Sequence, residues 1–302
     1  LQCRGFGAII ALVRAILLIC LATASIASAT ASTISGNPPF VGSSKYNALV
    51  NRGVSENWAA LPIGERTARV GLALAGTPYV NYTLEISART ERPCVNFNGL
   101  DCWTFFETSL GTARALKRSD HPSQAELLKM IEVDRYRGGR CTGLFTSRLH
   151  QLEDWLYDNQ KRGLVKDITP SLPGAVKIRR DVEDMAPMGA RIPQFRANPS
   201  LIPVMARIEQ QLSARGIWYV PKSRVPAAEK YLQNGDIICI VSNWPKEYTS
   251  HVGLAYRDKT GTLRFLHASK TAGRVLVDSR LSDYLAKHGK QAGIMVARPR
   301  DI

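Results

Sequence analysis

The chain has 302 residues, of which 45% are hydrophobic and 22% charged, and a formal charge of +15 at neutral pH. This composition suits a globular protein with a sizeable buried core and excludes a disordered or low-complexity chain. It is too long for a small disulfide-stapled scaffold, and it has neither a CxxC pair nor zinc-type Cys/His spacing.

The first 29 residues read as an export signal. Arg4 and Arg14 precede an uncharged apolar run at 15–26, and Ala27-Ser28-Ala29 forms a small-x-small cleavage site. The run is short for a membrane span, which needs about 20 residues. No stable span is therefore expected after cleavage, and the mature protein is expected in the periplasm or cell envelope. Residues 30–56 are rich in Ser, Thr, Gly and Asn and read as a linker.

The predicted elements then follow in order. Apolar residues at helical spacing over 62–75 stop at Gly76-Thr77-Pro78, a breaker cluster. A second helix is predicted at 101–116, with Trp103, Phe106, Leu110 and Ala113 on one stripe. A third is expected over 144–160 and a fourth over 201–214. The proline-bearing stretch 163–200 carries few periodic signals and reads as an irregular excursion of the kind that borders a site. From Gly235 the pattern changes to strands. Residues 237–241 form a continuous apolar run, as a strand covered on both faces would. Shorter strands are predicted at 252–256, 263–268, 274–277 and 294–297. Helices first and an antiparallel sheet second make an α+β fold.

The chemistry centres on Cys102. Asp101 is a good N-cap, which puts Cys102 in the first turn of a helix, where the dipole is expected to favour the thiolate. A nucleophilic cysteine needs a base, and the base needs an orienting partner. His251 and His267 flank the polar stretch Arg257-Asp258-Lys259-Thr260-Gly261, which reads as a hairpin turn. If Tyr256 pairs with Thr262, His251 faces His267 on one side of the sheet, where opposed side chains meet. Slippage by one residue would separate them. His121, His150 and His288 read as structural, with His150 on a helix. Cys239, inside an apolar strand, is expected to be a buried, inert thiol, and Cys94 and Cys141 are a candidate disulfide in an oxidising compartment.

These segments together resemble the NlpC/P60 cell-wall hydrolases. They are Leu74-Ala75-Gly76-Thr77-Pro78-Tyr79, Asp101-Cys102, Gly235-Asp236-Ile237-Ile238, His251-Val252-Gly253-Leu254-Ala255-Tyr256 and Phe265-Leu266-His267-Ala268-Ser269, in that order. The stretches Asn98-Gly99-Leu100-Asp101-Cys102-Trp103-Thr104-Phe105-Phe106-Glu107 and Tyr136-Arg137-Gly138-Gly139-Arg140 resemble the DUF1460 branch, described as N-acetylmuramoyl-L-alanine amidase-like. The resemblance covers roughly 62–298. It implies a papain-like core, with N-terminal helices packed on an antiparallel sheet, in a catalytic domain at 57–302 with an insertion at about 117–234. It also implies hydrolysis of a peptidoglycan amide by Cys102, with His251 as base, His267 as orienting residue and helix-start N–H groups as oxyanion donors.

The family pattern is not matched everywhere. Asn81-Tyr82 stands where many members carry Gly-Gly, and Cys102 is followed by Trp103-Thr104. A stem-peptide endopeptidase of the same fold, a related acyl transferase and a non-catalytic wall-binding protein are the competing readings. A metal site built from Cys102, His251 and His267 is a further one. The preferred reading needs no metal and no cofactor, and its partner is peptidoglycan or a muropeptide. The basic chain suits such an anionic polymer, and no nucleic-acid motif is present. Tyr79 and Tyr82, together with Arg137 and Arg140, are the candidate substrate contacts. Arginine forks suit stem-peptide carboxylates.

Overall fold

The computed structural model describes residues 39–302. The expected signal, and the linker as far as residue 38, lie outside them. Strand β1 (Phe40–Val41) and helix α1 (Ser43–Ser55) come first, which corrects the linker reading over the helix. Tyr46, Leu49, Val50 and Gly53 recur at helical spacing and are buried. The Ser, Asn and Arg residues between them occupy the solvent face, so composition alone resembled a linker.

Helix α2 (Ile63–Ala73) forms where expected. Strand β2 (Val95–Asn96) pairs in parallel with β1. Helix α3 (Cys102–Arg118) starts at the predicted cap, and α4 (Gln124–Arg135) follows from a Ser123–Glu126 capping box. Helix α5 (Leu152–Lys161) is shorter than predicted; His150 lies before it, held by a 2.8 Å bond between Nε2 and the Phe145 carbonyl. Next come β3 (Val165–Asp167), β4 (Val176–Ile178), α6 (Pro193–Ala197), α7 (Leu201–Arg215), β5 (Ile217–Pro221) and α8 (Val225–Ala228). The chain ends with β6 (Ile237–Ser242), β7 (Thr249–Arg257), β8 (Leu263–Ser269), β9 (Arg274–Arg280), α9 (Leu281–Lys287) and β10 (Gln291–Pro299).

The main sheet runs β4-β5-β10-β6-β7-β8-β9, with β3 also on β10, and every pairing in it is antiparallel. One face carries Cys239, Val252, Leu254, Leu266 and Met295 against the helical part, including Phe105 and Leu110 of α3. The other carries Ile238, Ile240, Ala255, Phe265 and Val296 against α8 and α9. Both faces are therefore covered, and all six residues of β6 are buried, as its unbroken apolar run predicts. The proline-bearing excursion holds only short elements, but Ile192 and Phe195 from it join Phe145, Leu201 and Met205 in a small core of their own.

Helix α3 is buried from Thr104 to Leu116. Such a helix must neutralise its own charges internally. Glu107 accepts from Arg135 Nε at 2.7 Å, Arg114 pairs with Asp134, and all four side chains are buried. Helix α4, which the sequence assigned to an insertion, is thus clamped to the helix that opens at Cys102. Replacing Glu107 by Ala would leave the Arg135 guanidinium buried without its carboxylate. That substitution is expected to cost about 3–5 kcal/mol in urea unfolding, and a loss below about 1 kcal/mol would show that the pair does not hold α3 to α4.

Candidate active site

The site begins at the α3 N-terminus. Asp101 accepts from the Thr104 N–H at 2.7 Å, and its own N–H donates to Thr104 Oγ1 at 2.9 Å, closing a capping box. This fixes Cys102 in the first turn. The backbone N–H groups of Cys102, Trp103 and Val252 are turned toward its sulfur. Val252 adjoins His251, so the sulfur lies against the β7 backbone at the residue next to the imidazole.

The expectation of a low thiol pKa is corrected. Burial pushes the Cys102 thiol up to about 12, the neighbouring Asp101 carboxylate adds to the rise, and the three N–H groups only partly oppose it. The resting form at neutral pH is therefore the thiol. His251 moves the other way: burial, with His267 and His288 nearby, lowers it to about 3, so it rests as a neutral imidazole able to accept a proton.

The two histidines share a face and are bonded, His251 Nε2 to His267 Nδ1, at 2.7 Å. The register that brings them together differs by two residues from the expected one. Tyr256 pairs with Arg264 and Leu254 with Leu266, not Tyr256 with Thr262. The cause is the loop. The Asp258 carboxylate accepts from the N–H groups of Thr260 and Thr262, and Gly261 takes a φ of +82°, so the turn closes one residue later on each side. A two-residue shift keeps every side chain on its face. His251 and His267 therefore still meet, but diagonally. The residue against His267 is Gly253, where an added Cβ would lie 2.7 Å from the His267 Cβ.

Two β-bulges border this pair. On β7, Ile240 pairs with His251 and Val241 with Thr249, which leaves Ser250 as the extra residue. On β9, the pairing jumps from Leu266–Val277 to Arg264–Arg280. Bulges re-aim side chains, and beside this second one Asp278 Oδ2 reaches His267 Nε2 at 3.3 Å. His267 is 2% exposed and forms a three-ring cluster with Phe265, at 4.5 Å, and Tyr284, at 5.2 Å. Tyr284 lies 6.5 Å from the His251 ring; burial, then the Asp278 and Cys102 charges, raise its phenol pKa.

Sequence reasoning missed Asp278, Tyr284 and His288. Asp278 stands two residues beyond Leu276, the partner of His267, and no local signal marks it because its approach to the histidine lies beside the β9 bulge. His288, read as structural, stacks on Tyr284 at 4.4 Å and lines a cavity of about 970 Å³ that also takes in His251, His267 and Asp278. Trp244, 63% exposed, and Lys270, Lys287 and Lys290 line the same cavity. None of these lysines is ion-paired among the described residues.

The remaining candidates divide. Tyr79 packs beside Cys102, and burial followed by the Cys102 charge raises its phenol to about 12. Tyr82 lies within electrostatic reach of Tyr79, is 80% exposed, and has a φ of +61°, a strained conformation for an aromatic residue. Arg137 is bonded to Asp154 at 2.6 Å, and Arg140 is exposed near Glu132. Neither arginine is among the residues lining the cavity. The described cysteines are all free thiols: Cys94 is directed at the Thr83 carbonyl, Cys141 at that of Glu91, and Cys239 is fully buried. Among the described residues no three His, Cys, Asp or Glu side chains are grouped to hold a metal ion, and no helix is long and apolar enough to cross a membrane.

Residues 69–294 match the profile of a family described as AmiA-like, N-acetylmuramoyl-L-alanine amidase-like. Two crystal structures of an N-acetylmuramoyl-L-alanine amidase from Bacteroides uniformis are similar to this chain. They are 29% and 30% identical, each with a TM-score of 0.72, covering 79% of this chain and 99% of that one. A Legionella pneumophila protein of the DUF1460 family is 20% identical with a TM-score of 0.65 over 86% of this chain and 97% of its own, and shares the fold. No curated protein matches the chain.

A thiol held near 12 makes a reactivity prediction. Alkylation of Cys102 by iodoacetamide, followed by mass spectrometry of its peptide, should accelerate by roughly tenfold per pH unit between 7 and 10, tracking the thiolate fraction. A rate already at plateau by pH 6 would mean a preformed thiolate–imidazolium pair instead.

Proposed function

We propose that this chain, which belongs to the N-acetylmuramoyl-L-alanine amidase-like family, hydrolyses the amide joining the muramoyl carboxyl group to L-alanine, with Cys102 as nucleophile. The observation that carries this reading is the 2.7 Å bond between His251 Nε2 and His267 Nδ1. It leaves His251 Nδ1 for the thiol, whose sulfur is met by the N–H of the adjoining Val252.

With the thiol and imidazole both neutral at rest, proton transfer accompanies attack. His251 Nδ1 takes the Cys102 proton as the S–C bond forms at the amide carbonyl. The oxyanion is stabilised by N–H groups at the α3 start, which have no partner within the helix. His267 holds the resulting imidazolium through its Nδ1. His251 then gives the proton to the alanine nitrogen, the C–N bond breaks, and a thioester remains. Water, deprotonated by His251, releases the acid and restores the thiol.

On this reading the stem peptide's carboxylates meet Lys270, Lys287 and Lys290, the unpaired cations lining the cavity beside the histidines. Tyr79 and Tyr82 supply an aromatic wall on the thiol side. Arg137 already spends its guanidinium on Asp154, so its contribution to carboxylate binding is expected to be smaller. The site of action is the cell envelope.

Two measurements test the reading. Digestion of defined muropeptides should release intact stem peptides with a free alanine amine, and Cys102→Ala should lose about 10⁴-fold or more in kcat. Fragments cut between stem residues would make the protein an endopeptidase; full activity in Cys102→Ala would remove the cysteine mechanism. A Lys287→Gln/Lys290→Gln protein should raise KM for a stem with free carboxylates about tenfold, more than for the amidated stem and more than Arg137→Ala or Arg140→Ala does. Equal KM changes on both stems would show that these lysines do not read the carboxylates.

A further inference from the structure

We propose that Asp278 is a positioning residue that sets the direction of the hydrogen bonds running through His267 and His251, and so leaves the His251 nitrogen facing the thiol unprotonated. The inference deepens the cysteine-amidase reading above and rests on it for its catalytic meaning.

The argument follows from which atoms can donate. A carboxylate only accepts. Asp278 Oδ2 lies 3.3 Å from His267 Nε2, so that nitrogen carries the hydrogen. A neutral imidazole has one N–H, which leaves His267 Nδ1 bare and accepting. Its partner at 2.7 Å, His251 Nε2, must then be the donor. A neutral His251 with hydrogen on Nε2 has its lone pair on Nδ1, the form a base needs. Reverse the first bond, and every later one reverses with it.

The surroundings give no other group this role. The other titratable groups beside the pair are Tyr284 of α9 and His288 just after it, with Cys102 at the α3 start within electrostatic reach of Tyr284. The Tyr284 hydroxyl is bonded to Gln291, and His288 Nδ1 donates to the Tyr284 carbonyl, so neither is bonded to His251 or His267. Lys270, Lys287, Lys290 and Glu247 also line the cavity, and none is bonded to either histidine. His267 is 2% exposed and packs against the Phe265 and Tyr284 rings, which opposes a ring flip. Asp278 itself is anchored: its Oδ1 accepts from the Ser279 N–H at 2.6 Å, beside the β9 bulge.

That anchor makes Asp278→Asn informative. The Ser279 N–H will hold the amide oxygen, which turns the amide nitrogen toward His267 Nε2. An N–H donor there demands a bare Nε2, moves the hydrogen to His267 Nδ1, and forces His251 to carry its hydrogen on Nδ1. Asp278→Ala removes the acceptor without supplying a donor, so it leaves the direction unset and does not reverse it.

The experiment compares both variants with the parent by kinetics on a muropeptide and by ¹⁵N spectra of labelled histidine at pH 7. The expected result is a fall in kcat of about 10²–10⁴-fold for Asp278→Asn with KM within about threefold, a smaller fall for Asp278→Ala, and hydrogen moved from Nε2 to Nδ1 of His251 in the Asn variant alone. A purely structural role predicts the opposite order, since Asn is nearly isosteric with Asp and Ala is not. Asn milder than Ala, or an unchanged His251 tautomer, overturns the proposal. The spectra do not depend on turnover. If Cys102→Ala retains activity, the amidase mechanism fails while the tautomer result still decides the part played by Asp278.

Discussion

Helix α3 has to be buried and charged at once, and much of the molecule is arranged around that constraint. It is enclosed from Thr104 to Leu116 and still carries Glu107 and Arg114. Each ion must be matched inside the protein, because an unpaired buried charge costs about 3–5 kcal/mol, a large share of a domain's total stability. The partners, Arg135 and Asp134, sit next to each other at the end of α4. Arg135 also donates to the Cys94 carbonyl at 2.8 Å, which ties in the segment leading to the α3 cap. The helix that presents Cys102 is thus held along its length by packing and at its start by the Asp101–Thr104 box. Its first-turn N–H groups are left facing the site.

The same burial shapes the chemistry. A thiol in a wet cleft at a helix start would ionise readily; this one is half-buried beside a carboxylate, and the loss of solvent holds it as the thiol. The half-buried His251 stays neutral for the same reason. A site with two neutral partners depends on the direction of its hydrogen bonds more than one built on a standing ion pair, because the base must offer its lone pair to the right atom. In the proposed mechanism the bonds from His251 through His267 to Asp278 therefore set which nitrogen offers its lone pair, and the Phe265 and Tyr284 rings pack against His267.

The sheet supplies the geometry through its irregularities. Regular antiparallel pairing aligns side chains on a face but cannot alone bring residues of three strands together. The Asp258 loop shifts the β7–β8 register by two, Gly253 admits the His267 side chain, and bulges lie beside His251 and Asp278. The two sides of the site also differ in character. Tyr79 and Tyr82 lie toward the thiol, while unpaired lysines and an exposed tryptophan lie toward the imidazoles.

Much of this was legible in the chain alone. The strand-to-helix contrast was strong enough to locate α2, α3, α7 and β6 to β10, because periodicity and the Asp101 cap are local signals. The pairing of His251 with His267 on one face was also legible, since parity along a strand survives a two-residue error in register. Three features required the folded molecule. Helix α1 hid in a polar composition, because only its contact with the core reveals which residues face inward. Asp278 depends on a bulge, which leaves no mark in a hydrophobic pattern. The thiol's protonation state follows from how deeply the α3 N-terminus is buried, a sum over neighbours from distant parts of the chain. Local sequence thus marked the candidate reacting groups. The tertiary structure decided in which protonation state and along which line of hydrogen bonds they meet, because burial and register are properties of the packed whole.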